Sequence, residues 1–222
     1  MTSNRTELRW PAAPPGAPRD QTSPELNVVR PATEASVVDE PTIAETAQLA
    51  AGTAGVIMIA VVLIALVVRA GFAASARRWL AFPFAGIPAS PDEAASIFIH
   101  NLRALAAVGG MLLIARSGYC AARNGQPGVV HQTLRRLGEA LLGPAVAANV
   151  IVVGTSLGAY GTRMLRAALP HGPVELAAYS LALALYLQGR NRLLPIRHVL
   201  TVAALSMSAL ALAALLETFV NL

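Results

Sequence analysis

The sequence has little charge, a single cysteine and no lysine. Charged residues make up 13% of the 222 residues, 55% are hydrophobic, and the mean hydropathy is +0.56. A soluble globular domain carries far more charge than this. Since Cys120 is the only cysteine, the chain cannot build an intrachain disulfide, a structural zinc site or an iron–sulfur cluster from thiolates. The composition therefore predicts a membrane protein, and we expect no cofactor.

The basic residues are all arginine and give a formal net charge of +5. Most arginines after the first apolar segment lie on short connections between apolar segments, where arginine meets anionic lipid headgroups. A membrane explains this charge better than a nucleic acid does. We therefore predict membrane lipid as a partner and no nucleic acid.

An N-terminal arm over residues 1–45 contains seven prolines and has no sustained hydrophobic periodicity. Such a segment is typical of a disordered or extended chain, either a solvated tail or a strap that orders on a partner. It carries seven acidic residues against four arginines, unlike a cleaved signal peptide. We predict that the first apolar segment is retained and that residues 46–222 form a transmembrane domain.

Five apolar segments follow the arm. The first is uncharged over 22 residues, and at a rise of about 1.5 Å per residue it is long enough to cross about 30 Å of hydrocarbon. The fold class predicted is therefore all-α, a multipass transmembrane bundle of about five helices behind a disordered, proline-rich arm. The five predicted spans are 47–68, 94–115, 140–157, 173–188 and 199–219.

The arginines also predict an orientation. Connections after the second and fourth spans carry seven arginines, and those after the first and third carry five. Because cytoplasmic loops are enriched in arginine, this asymmetry favours a cytoplasmic N-terminus in a bacterial cell membrane.

Gly154 and Gly158 lie four residues apart in the third span. Small residues at this spacing share one helix face and let a second helix approach closely. We predict that this pair is a helix-packing site.

His171 and Glu175 are the first candidate site, because ionisable groups in membrane helices are rare and usually face protein or water. Four residues apart at the start of a helix, their side chains share a face and can hydrogen bond. The pair could act as a general acid–base couple, supply two ligands of a metal site, or relay protons. It could also simply cap the fourth helix. We favour acid–base chemistry among the functional roles and predict no metal site.

A supporting polar cluster is predicted around this pair. Asn101 and Arg103 could hydrogen bond to or neutralise Glu175 and Glu217, and His100 lies beside them on the second span. The alternative is a purely structural helix–helix lock. His198 lies in a short basic stretch, and we expect it to be exposed.

The segments HNLRALAAVGG (100–110), LPHGPVELAAYSLALALYL (169–187) and ALLETF (214–219) resemble the stage II sporulation protein M (SpoIIM-like) family of membrane proteins. The resemblance covers roughly residues 90–222, and its specific part is the P-H-G-x-x-E pattern at 170–175. It implies about five helices, with this turn opening the fourth. It also implies a role either in maturing and exporting hydrophobic ribosomal peptides or in envelope remodelling with peptidoglycan hydrolases.

Three functions follow as hypotheses. The first is a membrane subunit that binds and helps modify, mature or export a hydrophobic peptide, with His171 and Glu175 moving protons for dehydration, epimerisation or cyclisation. The second is a noncatalytic scaffold of an envelope-remodelling complex. The third is a transporter component, disfavoured because the sequence has no visible internal repeat. We expect a hetero-oligomer with another membrane protein or a hydrolase-like protein.

Overall fold

A computed structural model describes residues 41–81, 88–123, 128–190 and 192–220, and within these ranges the chain is helical without any strand. A π-helical segment, Val68–Phe72, joins the first two helices into one continuous rod. The α-helices are α1 (Ile43–Val67), α2 (Ala73–Leu80), α3 (Pro91–Arg123), α4 (Val129–Tyr160), α5 (Thr162–Ala168), α6 (Gly172–Gly189) and α7 (Ile196–Phe219).

Four helical segments among the described residues are long and apolar enough to cross a membrane. The protein is therefore an all-helical, membrane-embedded bundle, and the predicted fold class is confirmed. The four segments are Ile43–Leu80, Pro91–Cys120, Arg136–Tyr160 and Ile196–Phe219.

Helix α6, which corresponds to the predicted span 173–188, is not among these four segments. Its ends carry Pro173, Glu175 and Gln188, which lower its hydropathy. It packs against α1, α3 and α7, so protein replaces lipid around much of its surface. Six of its residues are buried, namely Ala178, Ser180, Ala184, Leu185, Tyr186 and Gly189.

A capping box starts α1. The Thr42 hydroxyl accepts a hydrogen bond from the Glu45 amide at 3.1 Å, and the Thr42 amide donates to Glu45 Oε2 at 2.9 Å. These two bonds satisfy amides that the first helical turn leaves without partners. The helix begins at Ile43, two residues before the predicted end of the arm at residue 45. The rest of the predicted arm, residues 1–40, lies outside the described residues.

Gly154 and Gly158 place α4 directly against α1. A Cβ atom on Gly154 would lie 2.8 Å from the Ile64 Cβ, and one on Gly158 would lie 2.5 Å from the Ala65 carbonyl oxygen. Real Cβ atoms essentially never lie this close to an atom that is not bonded to them, so glycine permits this approach where any other residue would require a shift. The two glycines predicted as a packing site thus line the contact between α1 and α4.

The bundle has two ends, set by the directions of its helices. Asn101 lies beside Glu175, and Arg116 lies beside Leu194 just after α6, so α3 and α6 run in the same direction. Helix α7 runs back along α6 and brings Glu217 near Glu175. We call these the Glu175 end and the Arg190 end, after residues near the start and just after the end of α6.

Two arginines donate hydrogen bonds from their side chains to backbone carbonyls of neighbouring elements. Arg77 Nε donates to the Ala159 carbonyl at 2.7 Å, which fastens α2 to the last turn of α4. Arg116 Nη1 donates to the Leu194 carbonyl at 2.8 Å, which fastens α3 to the connection between α6 and α7. Carbonyls in the last turn of a helix, such as that of Ala159, lack intrahelical partners, and a cation satisfies them well.

The α1–α4 contact gives a first prediction. Gly158→Ala should lower the free energy of unfolding by about 1–3 kcal/mol, because its methyl group collides with the backbone of α1 and the helices must separate. Gly143→Ala, on the same helix with open space around it, should cause no loss. Reversible unfolding in mixed micelles, followed by circular dichroism, measures both. Equal stabilities would show that this contact does not depend on glycine.

Candidate functional site

A carboxylate and an amide from two helices meet at the Glu175 end. Asn101 Nδ2 on α3 donates a hydrogen bond to Glu175 Oε1 on α6 at 2.6 Å. Both residues are half-buried. A short bond from a neutral donor to a carboxylate belongs to the stronger class of protein hydrogen bonds. It fixes the Glu175 carboxylate in one orientation.

Two further residues complete what we call the Glu175 cluster, which consists of Asn101, Glu175, Tyr179 and Glu217. The Tyr179 hydroxyl, one turn after Glu175, donates to the Asn101 carbonyl oxygen at 3.3 Å. The Glu217 carboxylate on α7 is close enough to repel that of Glu175. The cluster therefore links α3 to α6 by hydrogen bonds, and with Glu217 of α7 it places two carboxyl groups together in an apolar bundle.

His171 lies immediately before α6. Its carbonyl oxygen accepts the Glu175 amide at 3.0 Å, so the two residues are joined through the backbone. The expected side-chain hydrogen bond between them is not formed. Instead, Nδ1 of His171 is buried and has no partner among the described residues. A buried ring nitrogen without a partner is costly, and it is available to a group that enters the site.

His100 and Arg103 are exposed, and the structure does not bring them into the cluster. Successive residues of a helix are about 100° apart around its axis, so neighbours of Asn101 point to other sides. Arg103 makes no hydrogen bond or ion pair with Glu175 or Glu217 in the described part of the chain. The predicted neutralisation of Glu175 by Arg103 is therefore not observed. The neutral amide of Asn101 binds the Glu175 carboxylate instead.

Metal ligands are not assembled in the described residues, where no group of three or more His, Cys, Asp or Glu side chains could hold an ion. Metal chemistry at His171 and Glu175 would need ligands from elsewhere, because a protein site ordinarily supplies at least three. The arrangement instead suits proton transfer, since a carboxyl group held in one orientation can give and take protons.

A second polar cluster, which the sequence reasoning missed, lies at the Arg190 end. The fully buried Thr46 hydroxyl donates to Gln188 Oε1 at 2.9 Å and lies 3.0 Å from His198 Nε2. The same hydroxyl lies 3.2 Å from the Thr42 carbonyl oxygen, and His198 donates to it in the tautomer that carries its proton on Nε2. The expectation that His198 is exposed is wrong, because the residue is 8% exposed.

Two sequence signals could have located this second cluster. The T-x-x-E spacing of Thr42 and Glu45 marks a helix start ahead of the first predicted span, which puts Thr46 in the first turn of α1. Pro195 marks the start of α7, which puts His198 inside that helix rather than in a loop. Their pairing with Gln188 depends on how the helices assemble, and no local pattern contains it.

Comparison with protein-family models, curated proteins and solved structures found no match to this chain. The resemblance to SpoIIM-like proteins therefore stays a prediction.

The Asn101–Glu175 bond gives the second prediction. Asn101→Leu should lower the free energy of unfolding by about 1–3 kcal/mol, because Glu175 loses its donor in an apolar setting. His100→Leu changes the adjacent exposed residue and should have little effect. Unfolding in mixed micelles measures both variants. A double-mutant cycle completes the test with Glu175→Leu and the double variant Asn101→Leu, Glu175→Leu. If the double variant lost as much free energy of unfolding as the two single variants together, the two side chains would be uncoupled.

The buried cluster at the other end gives the third prediction. Thr46→Val keeps the shape but leaves Gln188 and His198 without the hydroxyl, which should cost about 1–3 kcal/mol. Thr53→Val, on the same helix, removes a hydroxyl that is bonded only to the Leu49 carbonyl. The midpoint of thermal unfolding should therefore fall clearly in Thr46→Val and change little in Thr53→Val. A similar midpoint for both variants would contradict a stabilising role for Thr46.

Proposed function

We propose that the protein is an integral membrane subunit of a complex that binds a hydrophobic, ribosomally made peptide and helps to modify, mature or export it. The observation that supports this most is the Glu175 carboxylate, held by Asn101 beside a second carboxylate in an otherwise apolar bundle. An ionisable group in such surroundings costs free energy, and such groups usually serve a function.

In this proposal Glu175 is the proton-transfer group. Epimerisation removes the proton on a backbone α-carbon and returns a proton to the opposite face. Dehydration removes the same proton and expels the β-hydroxyl, which leaves as water with a second proton. In cyclisation the attacking amine loses a proton as it displaces the amine of the peptide bond that is broken. Asn101 orients the carboxylate, and Glu217 raises the cost of keeping both carboxyl groups ionised together. His171, whose Nδ1 has no partner in the described residues, is the second group able to exchange a proton.

A partner is part of the proposal because the Glu175 cluster contains no nucleophile paired with a base. Another membrane protein or a hydrolase-like protein would supply the bond-breaking or bond-forming groups. Helix α1 offers a surface for lipid or for a partner helix, since it presents large exposed apolar side chains, among them Val56, Ile59, Leu63 and Leu66.

We further propose that α6 crosses the membrane with the four other long helices, in a bacterial cell membrane and with the N-terminus in the cytoplasm. With 18 residues, α6 is about 27 Å long at 1.5 Å per residue, close to the hydrocarbon thickness. The Arg190 end would then face the cytoplasm, in keeping with the excess of arginines on that side.

The alternative is a noncatalytic scaffold that acts with peptidoglycan hydrolases. It is favoured by the hydrogen bonds with which the Glu175 cluster joins α3 to α6, since removing one partner of a buried polar pair is costly whether or not chemistry occurs there. On this alternative, the cluster matters only for assembly.

The fourth prediction separates the two functions. Glu175→Gln keeps an oxygen that can accept the Asn101 hydrogen bond but cannot carry a proton. We expect the C-terminally tagged variant to extract from its native membrane with its partners intact, while mature peptide falls by about a hundredfold or more. Mass spectrometry of the purified complex and of the peptide measures both quantities.

Glu93→Gln is the matched control, because Glu93 is an acidic residue at the same end of the bundle, outside the cluster. It should leave both the complex and the product unchanged. Full product from Glu175→Gln would contradict proton transfer by Glu175. Parallel loss of complex and product would support the scaffold instead.

A further inference from the structure

A lateral groove lies between α1, α4 and α6 towards the Arg190 end. Its volume is about 600 Å³, within the range of sites that hold small molecules. Helices α1 and α4 touch through Gly154 and Gly158 nearer the Glu175 end, and the groove occupies the space between them beyond this contact. Its apolar wall includes Leu49, Val56, Ile57, Leu142, Leu183 and Leu187.

The groove is open to the surroundings of the bundle. On its α1 wall, Val56 is 69% exposed and Leu49 is 37% exposed. These side chains are apolar and belong to a segment long enough to cross a membrane. The groove is therefore in contact with the acyl chains of the bilayer.

Three polar side chains, Glu139, Tyr186 and Arg190, line the groove as well. The Tyr186 hydroxyl donates to Glu139 Oε1 at 3.4 Å, so the acid is already engaged. Arg190 differs, because its Nε is buried and has no hydrogen-bond partner among the described residues. No described acid forms an ion pair with its guanidinium. The described part of the groove thus contains an arginine without an ion-pair partner, beside a Glu139 carboxylate that Tyr186 holds.

The charge around Arg190 is also positive. Arg192 and Arg197 follow it on the connection to α7 and on the first turn of that helix. Glu45, an acid at the same end, is occupied by the Thr42 amide. An anionic group is therefore the complement of this end of the groove.

The length of the groove suits one membrane leaflet. From Arg190 back to Leu183 on α6, and from Glu139 on to Val146 on α4, seven residues rise about 10 Å. One leaflet contributes about 15 Å of hydrocarbon. A lipid with its phosphate at Arg190 would place the upper part of one acyl chain along the apolar wall.

We propose that this groove binds one molecule of anionic phospholipid, with Arg190 bonded to its phosphate and one acyl chain between α1 and α4. A phosphate group matches the planar donor array of arginine, and Arg190 Nε needs an acceptor. The site is separate from the Glu175 cluster and does not depend on the proposed peptide chemistry.

The test is native mass spectrometry of the full chain, delipidated in detergent and titrated with phosphatidylglycerol or phosphatidylcholine. We expect one phosphatidylglycerol to bind per chain, more tightly than phosphatidylcholine. Arg190→Gln should weaken phosphatidylglycerol about fivefold, the effect expected of one arginine, and should weaken phosphatidylcholine less, because its phosphate is offset by the choline cation. Arg166→Gln, an exposed arginine on α5 at the other end, should change neither affinity.

A pair of glycines on α1 tests the acyl-chain half of the site. A side chain at Gly52 or Gly55 would meet nothing within 4 Å, but only Gly52 lines the groove. Gly52→Leu should therefore reduce binding of both lipids, and Gly55→Leu should reduce neither. Equal affinity for the two lipids, no response to Arg190→Gln, equal effects of the two leucine variants, or displacement of the lipid by inorganic phosphate alone would each overturn the proposal.

Discussion

An apolar environment supplies no hydrogen-bond partners, and this constraint determines how α6 is held. Polar side chains at its two ends must find partners within the bundle. At one end Glu175 accepts from Asn101 of α3, and at the other Gln188 accepts from Thr46 of α1, whose hydroxyl also meets His198 of α7. The long helix that is not among the four most apolar segments is thereby fixed to three neighbours at once. Its polar residues stabilise the bundle because lipid cannot satisfy them.

The glycine contact between α1 and α4 holds two helices together by close packing rather than by hydrogen bonds. In lipid, helix association depends on close packing more than on removal of apolar surface from water. Gly154 and Gly158 bring the backbone of α4 against α1 near the Glu175 end. Away from this contact a groove lies between the two helices, and Arg190 lines one end of it. One pair of small residues therefore closes one part of the α1–α4 interface and leaves the other part open.

The two polar regions offer different chemistry. The Glu175 cluster holds two carboxyl groups, and the nearby His171 has a buried ring nitrogen without a partner among the described residues; both features suit proton transfer. The Arg190 end of the groove carries an arginine that has no ion-pair partner among the described residues, above an apolar wall, which suits an anionic amphiphile. Since they lie near opposite ends of α6, a change at one should leave the other intact. Peptide chemistry and lipid binding can therefore be tested separately.

The sequence by itself determined the all-helical membrane fold, because long runs without charge admit few other structures. The predicted spans lie within or close to α1, α3, α4, α6 and α7, and spacing alone marked the Gly154–Gly158 pair. The composition of the polar clusters was decided only by the tertiary structure. Asn101 rather than Arg103 reaches Glu175, and His198 is buried against Thr46, more than 150 positions earlier in the chain. Helical periodicity predicts which residues share a face, but the packing angles and rotations of the helices decide which faces meet.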